Sequence, residues 1–309
     1  MGLEGLFPLL SSTGEYRGLL EHVSQGEAAA RAVVPEPALP YCVGALREDL
    51  KVPILVLVAR PERARRLYED LLVWCGEDAG IYHFPEGETL PFERLTADDA
   101  TIHGRLRTLA ALLGFEREGQ ASPIVVASLA AVAQRTLARE AFQASCHYVA
   151  AGQRVNLGEL VEMWQRAGYR VERAVEVPGT VSRRGGILDV YPPEAELPAR
   201  IELWGDVVES IRLFEPASQR SVKTVREVFI PPAQEMLPAM TLREEVEERY
   251  SHLDLSNCIP AIRERIQEEM ALLLAGHTLE EQGFYQGFFC RGSVLDFFPQ
   301  GGLLVVEGP

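Results

Sequence analysis

VPGTVSRRGGILDVYPPEAELPARIELWGDVVESIRLFEPASQRSV, residues 177–222, is the stretch whose reading decides the architecture. Its runs at 187–191, 200–204 and 207–214 are rich in β-branched and aromatic residues, and Pro-Pro and Gly-Asp turn signals separate them. This pattern predicts an antiparallel meander. Successive side chains of a strand point to opposite faces, so Ile201 and Leu203 share one face while Arg200, Glu202 and Trp204 share the other. The same rhythm pairs Ile211 with Leu213 and sets Arg212 opposite them. One face is therefore core, and the other carries arginines and a tryptophan.

Two readings of that second face are open from the residues alone. Trp and Arg dominate binding hot spots between proteins, which makes the face a candidate docking surface. Equally, Trp204 could face a second core layer with the arginines lying along its edge. The step Arg183-Arg184-Gly185-Gly186 before the first strand favours docking, because two glycines let the backbone turn sharply and approach another surface closely.

The segments RGGILDVYP, P-x-RIELWGD, ESIRLFE and SQRS resemble the module shared by the excision-repair UvrB proteins and the transcription-repair coupling factors, and the resemblance extends from about Val33 to the end of the chain. The order of the pieces is similar to the amino-terminal UvrB-homology region of the coupling factors. The resemblance implies a degenerate helicase-like parallel α/β scaffold interrupted by a smaller α+β module. Its expected divisions are 1–147 for the first half of the scaffold, 148–232 for a UvrA-binding module, and 233–309 for the second half returning to the first sheet. It further implies UvrA as partner, with Arg184, Arg200 and Trp204 as the binding residues; Trp204 stands where Phe is usual. RNA polymerase and DNA are implied as partners of other regions of a longer, translocating family member.

Composition bounds the rest. At 309 residues the chain suggests two or three units, and 47% hydrophobic residues predict a folded, soluble protein. The net charge of −15 argues against a dedicated DNA-binding surface, since duplex binding rests on Lys and Arg neutralising phosphates. That charge is uneven: residues 151–228 carry −1 and the remainder −14. A nearly neutral, arginine-bearing module between acidic flanks suits a protein partner better than a nucleic acid. Five cysteines without a C-x-x-C pair predict reduced thiols in a cytoplasmic protein, and Cys146-His147 alone makes no metal site. The start MGLEGLFPLL lacks a basic n-region, and no stretch is long enough to cross a bilayer, so no membrane association is expected.

The first part of the chain reads as alternating strands and helices, which predicts a parallel sheet covered on both faces. Continuous apolar runs at 54–59 and 124–128 are its buried strands, 32–34 is a short strand candidate, and helices are expected at 41–50, 61–74 and 98–113. A nucleotide site there would need glycines turning backbone N–H groups toward phosphate and a Lys reaching the outer phosphates. Between the strand candidate and the helix at 41 stands PEPALP instead, and the chain has only two lysines, Lys51 and Lys223, neither after a Gly. Three prolines give no N–H donors, and Glu36 repels phosphate. No cofactor and no catalysis are therefore expected of this chain. The competing assignment, an ATP-dependent helicase or damage-verifying protein like UvrB, would also need a long Tyr-rich insertion near GETLPFERL, which the sequence lacks.

Further along, residues 158–167 read as a helix with Leu160, Val161 and Trp164 on its core stripe. Charged helices are expected at 241–250 and 260–275, and the aromatic run GFYQGFFC at 283–290 reads as core or domain seam. VLDFFPQGGLLVVEGP reads as a strand pair whose second member, 303–306, joins the first sheet and ends at Glu307, where related ATPases carry an acidic pair. The chain stops straight after it, as a piece of a longer protein would.

Overall fold

The computed structural model describes residues 2–26, 29–87, 94, 98–114 and 122–308. Its strands, in chain order, are β1 (Ile54–Val58), β2 (Ile81–Phe84), β3 (Ile124–Ser128), β4 (His147–Ala150), β5 (Arg170–Val171), β6 (Thr180–Arg184), β7 (Ile187–Tyr191), β8 (Ala199–Trp204), β9 (Val207–Phe214), β10 (Ser221–Val225), β11 (Glu227–Ile230) and β12 (Leu303–Val306). They form a parallel sheet ordered β12-β1-β3-β2, a six-stranded sheet ordered β10-β9-β8-β7-β6-β5, and the two-stranded ribbon β11-β4. The fold is thus mixed α/β, with one parallel sheet and one mainly antiparallel sheet.

The chain separates into two compact units. The first comprises residues 1–86, 108–134 and 297–309, and the second residues 87–107 and 135–296. This grouping puts 233–296 with the antiparallel module, whereas the sequence placed that segment with the scaffold.

In the first unit β1 (ILVLV) and β3 (IVVAS) are buried at every position, as central strands of a parallel sheet must be. The register sets Ile54 beside both Ile124 and Leu303, so the last strand returns to pair with the first. The helix Pro61–Cys75 opens with Pro and Glu62, both favourable in a first turn, and buries Ala64, Leu67, Leu71 and Cys75 at helical spacing. Two strand expectations fail. Residues 32–34 form no strand: Val33 is 96% exposed, with no neighbouring strand to pair with. Val294–Phe297 is a helical turn, because Ser293 and Asp296 act as a reciprocal cap, the Ser293 N–H donating to the Asp296 carboxylate and the Leu295 N–H to the Ser293 hydroxyl.

In the second unit the helix Leu157–Arg166 starts where the Asn156 side chain accepts from the Gly158 and Glu159 N–H groups. It packs Leu160 and Trp164 onto the inner face of the six-stranded sheet, formed by Val181, Leu188, Val190, Ile201, Val208 and Ile211. A separate core gathers Val246 from the helix Arg243–Ser251, Ile266, Met270 and Leu273 from Pro260–Leu274, and Tyr285 and Phe289 from the aromatic run. Glu235, just after the exit of the sheet, accepts from the Arg105 guanidinium at 2.8 Å and from the Thr136 hydroxyl at 2.7 Å, all three buried. Such a fully partnered buried charge fixes the chain path at that point.

Trp164 is 1% exposed and central to the module core. Trp164→Ala is expected to cost about 3–5 kcal/mol in a denaturant-unfolding experiment, the range for emptying a buried aromatic site.

Candidate protein-docking surface

Two hairpins build the surface. β6 and β7 are joined through Gly185-Gly186, and β8 and β9 through Gly205-Asp206. Gly185 and Gly205 have φ of +61° and +64°, left-handed values that suit the first central position of a two-residue hairpin turn. The two tips lie at the same end of the sheet. The Leu203 N–H donates to the Gly186 carbonyl at 2.9 Å, and a Cβ on Gly186 would come within 3.1 Å of the Leu203 carbonyl oxygen. That close approach links the two hairpins at the end of the sheet where Arg184 closes β6 and Trp204 closes β8.

The outer face of the sheet is organised by one carboxylate. Asp189 is fully buried in mid-sheet, and the register sets Ser182 on one side of it and Arg200 on the other. Arg200 forks it, Nε donating to Oδ1 at 2.8 Å and Nη2 to Oδ2 at 2.9 Å, while Arg184 Nη2 donates to Oδ2 at 2.8 Å. Arg200 is held further by Gln219, whose side-chain oxygen lies 3.1 Å from Nη2, and by the Phe214 ring, 4.5 Å below its guanidinium. Hydrogen bonding to Asp189 holds the Arg200 guanidinium charged even more firmly than usual.

One anion thus serves two cations. The side chain of Arg200 is 16% exposed and that of Arg184 54%, so the surplus positive charge emerges at Arg184. Next to them Glu202 accepts from Arg212 Nη2 and from the Ser210 hydroxyl, both at 2.8 Å, a pair that is neutral within itself. At the tip, Trp204 is 81% exposed, the most open aromatic side chain of the described residues. The reading with Trp204 in a second core layer is overturned. The three residues singled out from the sequence share the outer face but differ in state: Trp204 is open, Arg184 half-open, and Arg200 turned inward onto Asp189. Sequence reasoning passed over Asp189 as a site residue, although the alternation around RGGILDVY places it on the same face as Arg200.

The position examined for a nucleotide lies in the first unit. Glu36–Ala38 is a short 3-10 turn leading into the helix Leu39–Leu50. Arg63 forks Glu307, with Nε 3.0 Å and Nη2 2.7 Å from Oε1, and Nη1 lies 3.5 Å from Glu36. A cavity of about 240 Å³ beside them is lined by Glu36, Pro37, Arg63, Arg66, Glu69 and Asp70, with no lysine among them. The passage GETLPFERL, read for an absent insertion, lies largely outside the described residues. Among the described residues no His, Cys, Asp or Glu group could hold a metal ion, and no helix is long and apolar enough to cross a membrane.

Residues 148–236 match the UvrB interaction domain family. The chain is 29% identical over 305 residues to the transcription-repair-coupling factor of Myxococcus xanthus, covering 94% of this chain and 25% of that protein. To the transcription-repair-coupling factor of Bacillus subtilis it is 28% identical over 309 residues, 95% of this chain and 25% of that one. The protein of the same name from Escherichia coli is 26% identical over 221 residues. The chain spans about a quarter of the length of the curated relatives it matches. It is therefore similar, along nearly all its length, to transcription-repair-coupling factors, and its residues 148–236 match the UvrB interaction domain family.

Proposed function

We propose that this chain is a non-catalytic docking region that recruits UvrA, and so links stalled transcription to nucleotide excision repair in the cytoplasm. The observation that carries this reading is the exposed Trp204 indole on the same outer face as a half-exposed Arg184 whose charge is not fully balanced. A protein partner that offers an apolar slot for the indole and a carboxylate for the guanidinium would complete both, in the manner of an aromatic and arginine hot spot. Arg200 acts from beneath: it holds Asp189 in place and, through it, aims Arg184. RNA polymerase and DNA would be engaged by other parts of a longer protein.

The UvrB-like ATPase alternative is less well supported. Its phosphate loop is replaced by PEPALP, and the lone acidic residue after β12 is neutralised by Arg63. A phosphate group brought there would meet Glu36, Glu69 and Asp70, with Arg63 already engaged by Glu307.

Co-elution with UvrA tests the docking reading. The wild-type chain is expected to form a complex, and Trp204→Ala and Arg184→Ala to weaken it by about 2 kcal/mol or more, the usual size for a hot spot. Trp204→Ala should leave stability within about 0.5 kcal/mol of wild type, as for an exposed side chain. Undiminished binding by both variants would remove the face from consideration. Arg200→Ala is expected to differ from them by lowering stability as well, by about 3 kcal/mol, because it strips the principal partner from a buried carboxylate. Calorimetry with ATP and Mg²⁺ should give no binding heat; a micromolar site would restore the ATPase alternative.

A further inference from the structure

The loop between β7 and β8, residues 192–198, carries a carboxyl group in an unusual position. Its prolines Pro192, Pro193 and Pro198 are buried, and it is tied down by the Tyr191 hydroxyl on the Glu196 carbonyl at 2.9 Å and by the Phe214 N–H on the Pro198 carbonyl at 3.0 Å. Glu194 keeps part of its surface in solvent, but its Oε2 is sealed and meets no hydrogen-bond partner among the described residues.

The groups facing it explain what form it takes. Tyr169, at the entry to β5, is fully buried, but its hydroxyl already donates to the Pro231 carbonyl at 2.8 Å. Cys146, after the helix Arg139–Ser145, already directs its thiol to the Phe142 carbonyl at 3.2 Å. Neither has a proton left to offer a carboxylate, and both are acids that burial and the Glu194 charge hold back from ionising. The Glu194 backbone N–H and Arg107, from the helix Asp99–Gly114, both favour the charged form, but their combined pull is weaker than the cost of burial. An ionised Glu194 would thus be a largely sealed anion with only its own backbone N–H as donor and nothing on Oε2, a state that costs more than the neutral acid.

We propose that Glu194 is a structural carboxylic acid, protonated in the folded chain at neutral pH, and that the 192–198 loop is a clasp that closes only on the protonated form. Burial pushes the Glu194 carboxyl up to about 8, well above an ordinary glutamate. A folded-state value raised in this way gives stability that is complete below the ordinary glutamate range and is lost as pH rises through about 8. Because the loop runs directly into β8, its release at alkaline pH would loosen the strand that carries Arg200 and Trp204.

Urea unfolding of the whole chain and of Glu194→Gln, at several pH values from about 5.5 to 7.5, tests this. Unfolding of the wild type should release about one proton more than the variant, so its unfolding constant should rise about tenfold more per pH unit. Parallel pH dependences would overturn the proposal. Should Glu194→Gln not fold, infrared spectroscopy of the wild type decides. A protonated carboxyl carbonyl band at neutral pH that disappears at alkaline pH supports the clasp, and its absence sinks it.

Discussion

Asp189 is the constraint on which the antiparallel module depends. A carboxylate sealed in the middle of a β-sheet is costly unless several donors converge on it, and here two guanidinium groups do. Meeting that need fixes the rotamer of Arg200, stacks it over Phe214, recruits Gln219 in a left-handed backbone conformation, and draws Arg184 across from the neighbouring strand. The outer face is consequently rigid where a flat row of arginines would be mobile. Rigidity of this kind lowers the entropy lost on association, so a small number of contacts can give specific binding.

The hairpin tips add the second half of the design. Backbone contact between Gly186 and Leu203 sets the distance between two turns that would otherwise move separately. Arg184 and Trp204 are therefore both carried on strands rather than on long loops, at one end of a sheet whose other face is packed under Trp164. In the first unit Arg63 draws Glu36 and Glu307 together into an internal ion-pair cluster.

Much of this was legible in the sequence, for identifiable reasons. ILVLV and IVVAS could only be buried strands, and the two-residue alternation in RIELW gave the inner and outer faces directly. The side on which Trp204 lies was also readable, but its exposure was not, since that depends on whether another layer covers it. Whether Arg200 faces a partner or an internal acid was hidden as well. Asp189 lies eleven positions earlier, and only the strand register brings the two together. The misread strand at 294–297 had a signal that was overlooked: S-V-L-D is a cap sequence, and local hydrogen bonding there outweighed apolar composition. The run at 32–34 failed for the opposite reason, having strand-forming residues but no neighbour.

The pairing of β12 with β1 bears on how the polypeptide is made. β1 emerges early from the ribosome as an apolar strand with one lateral partner missing, and the segment that covers that side is synthesised only after the entire antiparallel module. An uncapped parallel strand of this composition invites intermolecular pairing while the nascent chain waits. Holdase chaperones should consequently engage the ILVLV segment during translation, and let go once LLVV has been delivered.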